Sequence, residues 1–447
     1  GEKKQGRIAS ALAAMNARLD GMEATKHIKE GLAGLATRIT YCSFFVFWMV
    51  VAFIMSRDFF GLLHYIPTIV TDNTSACFGA SGCYGKLAVY RISFVVFSFF
   101  ALSGLLMSFP SYIRKGDWRH FIHNKLFILK ALAILVAVVL TFFLPNILFL
   151  IFGYASMVGG GVFLVIQAII LVDFAYQWNE KWVSYDKWYF YAGLLVISAA
   201  LYVASGVVQL SAIWFFAWPG NLIDYPLCAV NGLLIIVLCV LSLGFSILSL
   251  LVEHGALLPS SLITLYLAYS SWSMYASQPN TEHFSCNSLN SVGEERAAWQ
   301  LIAGLTFTLA SIAYQTMAAA SSFDNFTGST HADYKTVGSE EDMSLIAPSS
   351  VLDVDSDGDE DTSGQGERPS YNYLYFHIVF ALGTMYMAML LTDWNVSGSE
   401  DGNWHVGQGW EAVALKLVSL ILVCGLYYWS LLAPHILYWR DFGTPAE

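Results

Sequence analysis

Apolar residues in this chain come in long blocks rather than in alternation. The blocks fall at approximately 38–56, 87–109, 120–145, 147–178, 187–217, 226–251, 258–277, 297–320, 371–393 and 410–433. Each is long enough to cross a bilayer, which takes ~20 residues of helix, so the pattern predicts an all-α polytopic membrane protein with about ten transmembrane helices. The fourth block is too long for a simple crossing. Its residues 147–178 would make a helix of roughly 48 Å against ~30 Å of hydrocarbon. It must tilt steeply or break, and Gly159-Gly160-Gly161 is its weak point. Ahead of the first block, Ile8, Leu12, Met15, Leu19 and Met22 recur at helical spacing, with Arg7, Arg18, Asp20 and Glu23 opposite them. This predicts an N-terminal amphipathic helix within 1–36 that lies on the membrane or against a neighbour.

Composition strengthens the membrane reading: 56% of residues are hydrophobic and only 12% charged, about half the charge of a soluble domain. The net charge of −11 is concentrated in one place. Between Ser321 and Tyr371 there are twelve acidic and two basic residues, against 21 and 20 elsewhere. Segment 321–370 therefore reads as an acidic, disordered loop between helices 1–8 (37–320) and helices 9–10 with the C-terminus (371–442). Within it, Asp353, Asp355, Asp357 and Gly358 start like a calcium loop, but Gly364 stands where the closing Glu is needed. No cleavable signal peptide is visible at the start, and no basic patch with interleaved aromatics suggests nucleic acid.

Arg114, Lys115, Arg119 and Lys125 follow the second block, and the N-terminal segment is also basic. Basic short loops face the cytoplasm, so both termini and the acidic loop are expected there. Sequons at Asn73 and Asn395 then fall on the opposite side, as glycosylation requires. Cys77, Cys83, Cys228 and Cys286 fall on that side too, where oxidation would let them pair. Cys77–Cys83 and Cys228–Cys286 are favoured because the first two share a short loop; other pairings remain open.

Polar groups inside the blocks carry the candidate chemistry, because hydrocarbon tolerates them only when they are compensated. Lys130 is about eleven residues into the third block, or ~16 Å deep. Lys125 is shallower and can snorkel. Gln167 is about as deep in the fourth block, and Asp173 lies nearer its end. Blocks three and four form a hairpin around Pro145-Asn146, so a Lys facing Gln167 or Asp173 would lower the cost of both. One reading is interhelical glue; the other is a polar groove for lipid head groups, marked by Lys125, Lys130, Gln167 and Asp173, with Arg91 as an interface anchor. Serines 260, 261, 270, 271 and 273 cluster on the seventh block, where small hydroxyls allow close helix approach. His120 and His123 sit one turn apart at a membrane entry and suit head-group contact. There is no zinc spacing, nucleophile elbow or phosphate loop, hence no catalytic residue, metal or cofactor to expect and no enzyme.

The strings "FPSYIRKGDWRHFIHNKLFILK", "GGGVFLVIQAIILVDFAYQWNEKW", "SSLITLYLAYSSWSMY", "YNYLYFHIVFALGTMYMAMLLTDW" and "LKLVSLILVCGLYYWSLLAPHILYWRDF" together resemble the serine incorporator (Serinc/TMS) family, in order over about residues 37 to 442. The cysteine-free "KKQGRIASALAAMNARLDG" departs from the cysteine-rich start of many members, so N-terminal acylation does not carry over. The resemblance implies two helix bundles crossed by a long tilted helix. It implies support of serine incorporation into phosphatidylserine and sphingolipids, or energy-independent phospholipid scrambling, in the endomembrane system or plasma membrane; animal members also restrict viruses. Phospholipids and sphingolipids are the expected partners. The alternatives are a serine carrier or scaffold for lipid-synthesising enzymes, and a structural subunit of a homo-oligomer or larger membrane complex.

Overall fold

The computed structural model describes residues 34–56, 81–108, 118–217, 226–252, 255–278, 286, 294–318, 373–392, 394 and 410–436. Residues 1–33 of the expected amphipathic segment, the sequons at Asn73 and Asn395, Cys77 with its pairing to Cys83, and the acidic loop 321–370 lie outside them. The described elements are helical: α1 Gly34–Ser56, α2 Ser81–Ser108, α3 Trp118–Asn124, α4 Phe127–Thr141, α5 Asn146–Val183, α6 Trp188–Ala212 running into a π-helical turn Ile213–Ala217, α7 Pro226–Leu251, α8 Leu257–Ala276, α9 Glu294–Ala318, α10 Tyr373–Leu391 and α11 Trp410–Ile436. The chain is an all-α polytopic membrane protein. Seven of its helices (α1, α2, α5, α6, α7, α10 and α11) are long and apolar enough to cross a bilayer.

The other three predicted crossings also contain helices, each of a different character. α8 is buried on almost every side. A helix with no lipid-facing stripe can carry serines, and this one does. In α9 the described side chains, Ile302–Tyr314, form a short apolar stretch. The third predicted crossing, 120–145, is not one helix. It breaks at Leu126, whose backbone is left-handed (φ 62°), a costly conformation for a residue with a side chain. The seven-residue α3 lies before the break and the 15-residue α4 after it. α3 is inverted relative to a soluble helix: Trp118 and Phe121 are 60% and 55% exposed, while Arg119 and His123 are buried.

α5 is one continuous helix of 38 residues, about 57 Å long. It does not break at Gly159-Gly160-Gly161. All three glycines are buried and serve as a notch. A Cβ on Gly159 would strike the Met385 side chain of α10, and one on Gly160 would lie 3.3 Å from the Tyr386 backbone. On the next face Ser419 of α11 donates to the Gly161 carbonyl (3.0 Å). Two helices thus cross α5 at one place because it carries no side chains there. Gly runs break helices when exposed backbone has nothing to pack against; here packing replaces the missing side chains.

Apolar side chains collect into two cores that share α5. The first joins α1, α2, α4, α10 and the Phe149–Ile170 stretch of α5. It is aromatic-rich, with Phe45 and Phe100 both packed on Phe380 (5.6 and 5.0 Å between centroids). The second joins Ala168 and Leu171 of α5 to α6, α7, α8 and α11. At its edge Cys228 and Cys286 form the expected disulfide. Asn231 and Gln278 exchange amide hydrogen bonds beside it (2.8 and 2.7 Å). Asn231 also donates to the Phe216 carbonyl (3.2 Å), satisfying an acceptor in the wide π turn.

Candidate functional site

Three cations, Arg91 and Lys416 buried and Lys130 half-buried, are held in the same way. An α-helix leaves its last four carbonyls without intrahelical donors, and its C-terminal end is electrically negative. Lys130, in the first turn of α4, donates to the His123 carbonyl in the last turn of α3 (3.0 Å) and to the Tyr41 hydroxyl (2.8 Å). Arg91 of α2 donates to the carbonyl of Thr141, which ends α4, to that of Leu144 just beyond it (3.1 and 3.0 Å) and to Asn146 Oδ1 (2.7 Å). Lys416 of α11 donates to the Ser273 carbonyl in the last turn of α8 (3.2 Å) and to the hydroxyls of Ser273 and Ser277 (2.9 and 2.8 Å). Each cation also faces an aromatic ring: Lys130 over Phe127 (4.7 Å), Arg91 over Phe149 (4.4 Å) and Lys416 over Trp394 (4.7 Å). Such contacts strengthen where water is excluded.

The expected pairing of Lys130 with Gln167 or Asp173 does not form. α4 packs against α2 and makes almost no contact along α5, so the hairpin partners diverge from their turn. Because α4 starts only at Phe127, Lys130 lies in its first turn and not eleven residues deep. Arg91 is fully buried and is no interface anchor. Lys125 is exposed between α3 and α4. His123 is fully buried; its Nδ1 lies 3.1 Å from Nε2 of His377, so it does not meet a head group.

Gln167 and Asp173 instead belong to a polar line along α5 and α8. Tyr314 of α9 donates to Asp173 (2.7 Å), as does Gln177 (3.3 Å). Six residues further up α5, roughly 9 Å away, Gln167 receives only a long bond from Tyr266 (3.5 Å). Its buried Nε2 has no partner. Above Tyr266 come Tyr269, hydrogen-bonded to Tyr386 of α10, which also meets Thr308 of α9, and then Ser273, Ser277 and Lys416. From Tyr266 to Ser277 is about 16 Å of helix rise. The whole line covers about 25 Å, most of the hydrocarbon thickness. Its upper part is lined by Leu164, Tyr266, Ser270, Tyr386, Trp394 and Lys416, with about 10 Å³ of open space between them. That is room for one water, far below the ~300–1,000 Å³ of a ligand pocket. Among the described residues no cluster of three His, Cys, Asp or Glu could hold a metal ion.

The sequence model of the serine incorporator (Serinc) family matches residues 22–440. The chain belongs to the serine incorporator family. Among its relatives, a probable serine incorporator of Nematostella vectensis is 29% identical over 447 residues, covering 91% of each chain. Serine incorporator 3 of Mus musculus is 30% identical over 394 residues, covering 80% of each. Membrane protein TMS1 of Saccharomyces cerevisiae is 26% identical over 399 residues, covering 81% of this chain and 82% of the yeast protein.

In this serine incorporator the residues that sequence reasoning passed over are Lys416, Trp394, Tyr266 and His377. The partners of Lys416 are 139 and 143 residues away in sequence, and no local spacing announces them. One signal was available. Ser273 and Ser277 stand four apart at the end of α8, where side-chain oxygens and free carbonyls gather.

Proposed function

We propose that this serine incorporator is a passive phospholipid scramblase, not an enzyme, and that the α5–α8 line is the path of the head groups. The observation that supports this is a ~25 Å file of hydroxyl, amide and charged side chains in helices otherwise sorted for hydrocarbon, with Gln167 kept there although its amide is unsatisfied. Hydroxyl partners exchange readily with water and phosphate oxygens, so the line can open without leaving charges bare. The state described here is closed, and opening requires α9 or α11 to move off α8. Of the sequence candidates, Gln167 and Asp173 lie on this path; Lys125, Lys130 and Arg91 then serve the fold. Both termini face the cytoplasm, in the endomembrane system or plasma membrane.

The test is dithionite quenching of fluorescent phospholipid in proteoliposomes. Full-length protein should take quenching past the outer leaflet, and Gln167→Leu with Lys416→Met should slow it at least tenfold. Quenching that stops at one half with folded protein defeats the reading. The relatives' name, serine incorporator, favours a second reading, support of serine incorporation; we propose it as a scaffold for lipid-synthesising enzymes that make phosphatidylserine and sphingolipids. Labelled-serine incorporation that depends on this protein, without scrambling in liposomes, would select it.

A further inference from the structure

We infer that His123 and His377 form a buried one-proton junction that ties α10 to the α3–α4 segment and that acid opens it. The inference does not depend on the scramblase reading. Two ring nitrogens 3.1 Å apart are bonded only when one carries hydrogen and the other a lone pair. Both side chains are fully buried.

The direction of the bond follows from what lies behind it. Nδ1 of His377 is buried and has no hydrogen-bond partner. If His123 were the donor, a neutral His377 would carry its own hydrogen on that orphaned Nδ1. Orphaned buried N–H groups are rarer than orphaned acceptors. His377 therefore donates through Nε2, His123 accepts at Nδ1, and the hydrogen of His123 sits on Nε2.

The surroundings favour the neutral pair. Tyr373 of α10 stacks on one face of His123 (4.1 Å) and Tyr41 of α1 on the other (5.0 Å). The Tyr41 hydroxyl donates to the His123 carbonyl (2.9 Å), which also accepts from the Lys130 ammonium of α4 (3.0 Å). Arg119 is a buried cation one turn back on α3. From α2 come Phe100, packed on His377 (5.9 Å), and Gly104, both uncharged. A further proton would set N–H against N–H and add a second positive charge beside the Lys130 ammonium, which already lies on the His123 carbonyl. The junction must break to accept it. Unfolded imidazoles take up protons below about pH 6.5, so the unfolded state binds more protons there and stability falls as pH falls.

The test is thermal unfolding of the full chain in detergent between pH 7.5 and 5.0, beside ¹⁵N NMR of histidine-labelled protein in lipid nanodiscs. The wild-type Tm should drop across this range. His377→Gln, whose amide can donate from a similar place but cannot titrate, should fold at pH 7.5 and lose less than half as much. A parallel drop in both proteins overturns the inference. If His377→Gln does not fold, the wild-type spectrum decides, with His123→Gln for assignment: two neutral rings at pH 7.5, one of them acting as acceptor at Nδ1, support the junction, and a cationic ring overturns it.

Discussion

Lys130 and Lys416 are the same residue type, the first half-buried and the second buried, set near opposite ends of α10. Both cap a helix C-terminus and both lie over an aromatic ring. They differ in what stands beside them. Lys130 shares its carbonyl with a tyrosine that already bonds to it, and two imidazoles lie behind. Lys416 is the donor to the serine hydroxyls and carbonyl at the end of α8, next to the crevice. Both carbonyls keep a second donor, the Tyr41 hydroxyl at the first site and the Ser277 hydroxyl (3.0 Å) at the second. The sites differ in burial: Lys130 is half-buried and Lys416 is buried, so the second loses more when its ammonium is removed.

The sharpest test of this contrast is removal of each ammonium while keeping the stem. Lys416→Met should lower stability by about 2 kcal/mol, the scale of hydrogen bonds to a charged group. Lys130→Met should cost about half as much, because Lys130 is only half-buried while Lys416 is buried; equal losses by chemical or thermal unfolding would erase the distinction. Next, Tyr41→Phe should cost about 1 kcal/mol in the wild type and more in Lys130→Met, since that double variant leaves the carbonyl bare. Simple additivity in the double-mutant cycle would argue against a shared acceptor. At the crossing between the two sites, Gly160→Ala should lower Tm, because its new methyl group meets α10 backbone. Gly425→Ala, with nothing within 4 Å, should raise stability by up to ~1 kcal/mol through helix propensity. The smallest effect is expected at Gln167→Met, which removes an unsatisfied amide: stability should be unchanged or a few tenths of a kcal/mol higher, while lipid movement slows. A large destabilisation there would make Gln167 a structural residue.

Much of the architecture was legible in the chain because a bilayer imposes length and apolarity on each crossing. The blocks around α1, α2, α5, α6, α7, α10 and α11 needed little more than that rule. Placing cysteines by side left several pairings open, and the Cys228–Cys286 bridge is the favoured one among them. What failed were readings that needed a neighbour. A Gly triplet reads as a break until α10 and α11 are seen lying in it. The third block reads as one helix because no Gly or Pro marks the break at Leu126. Lys130 was matched to a carboxylate or amide because those are side chains and appear in a sequence. Its actual acceptor is a backbone carbonyl, which every residue has and no sequence marks.

Met385 and Tyr386, where α10 rests on the bare backbone of α5, lie about eight residues from His377 and eight from Trp394, so α10 has the proportions of a balance beam with arms of roughly 12 Å. Tilting it about that fulcrum would lift the imidazole end and depress the indole over Lys416 in one stroke, giving acidity on one side of the membrane mechanical leverage over the crevice on the other.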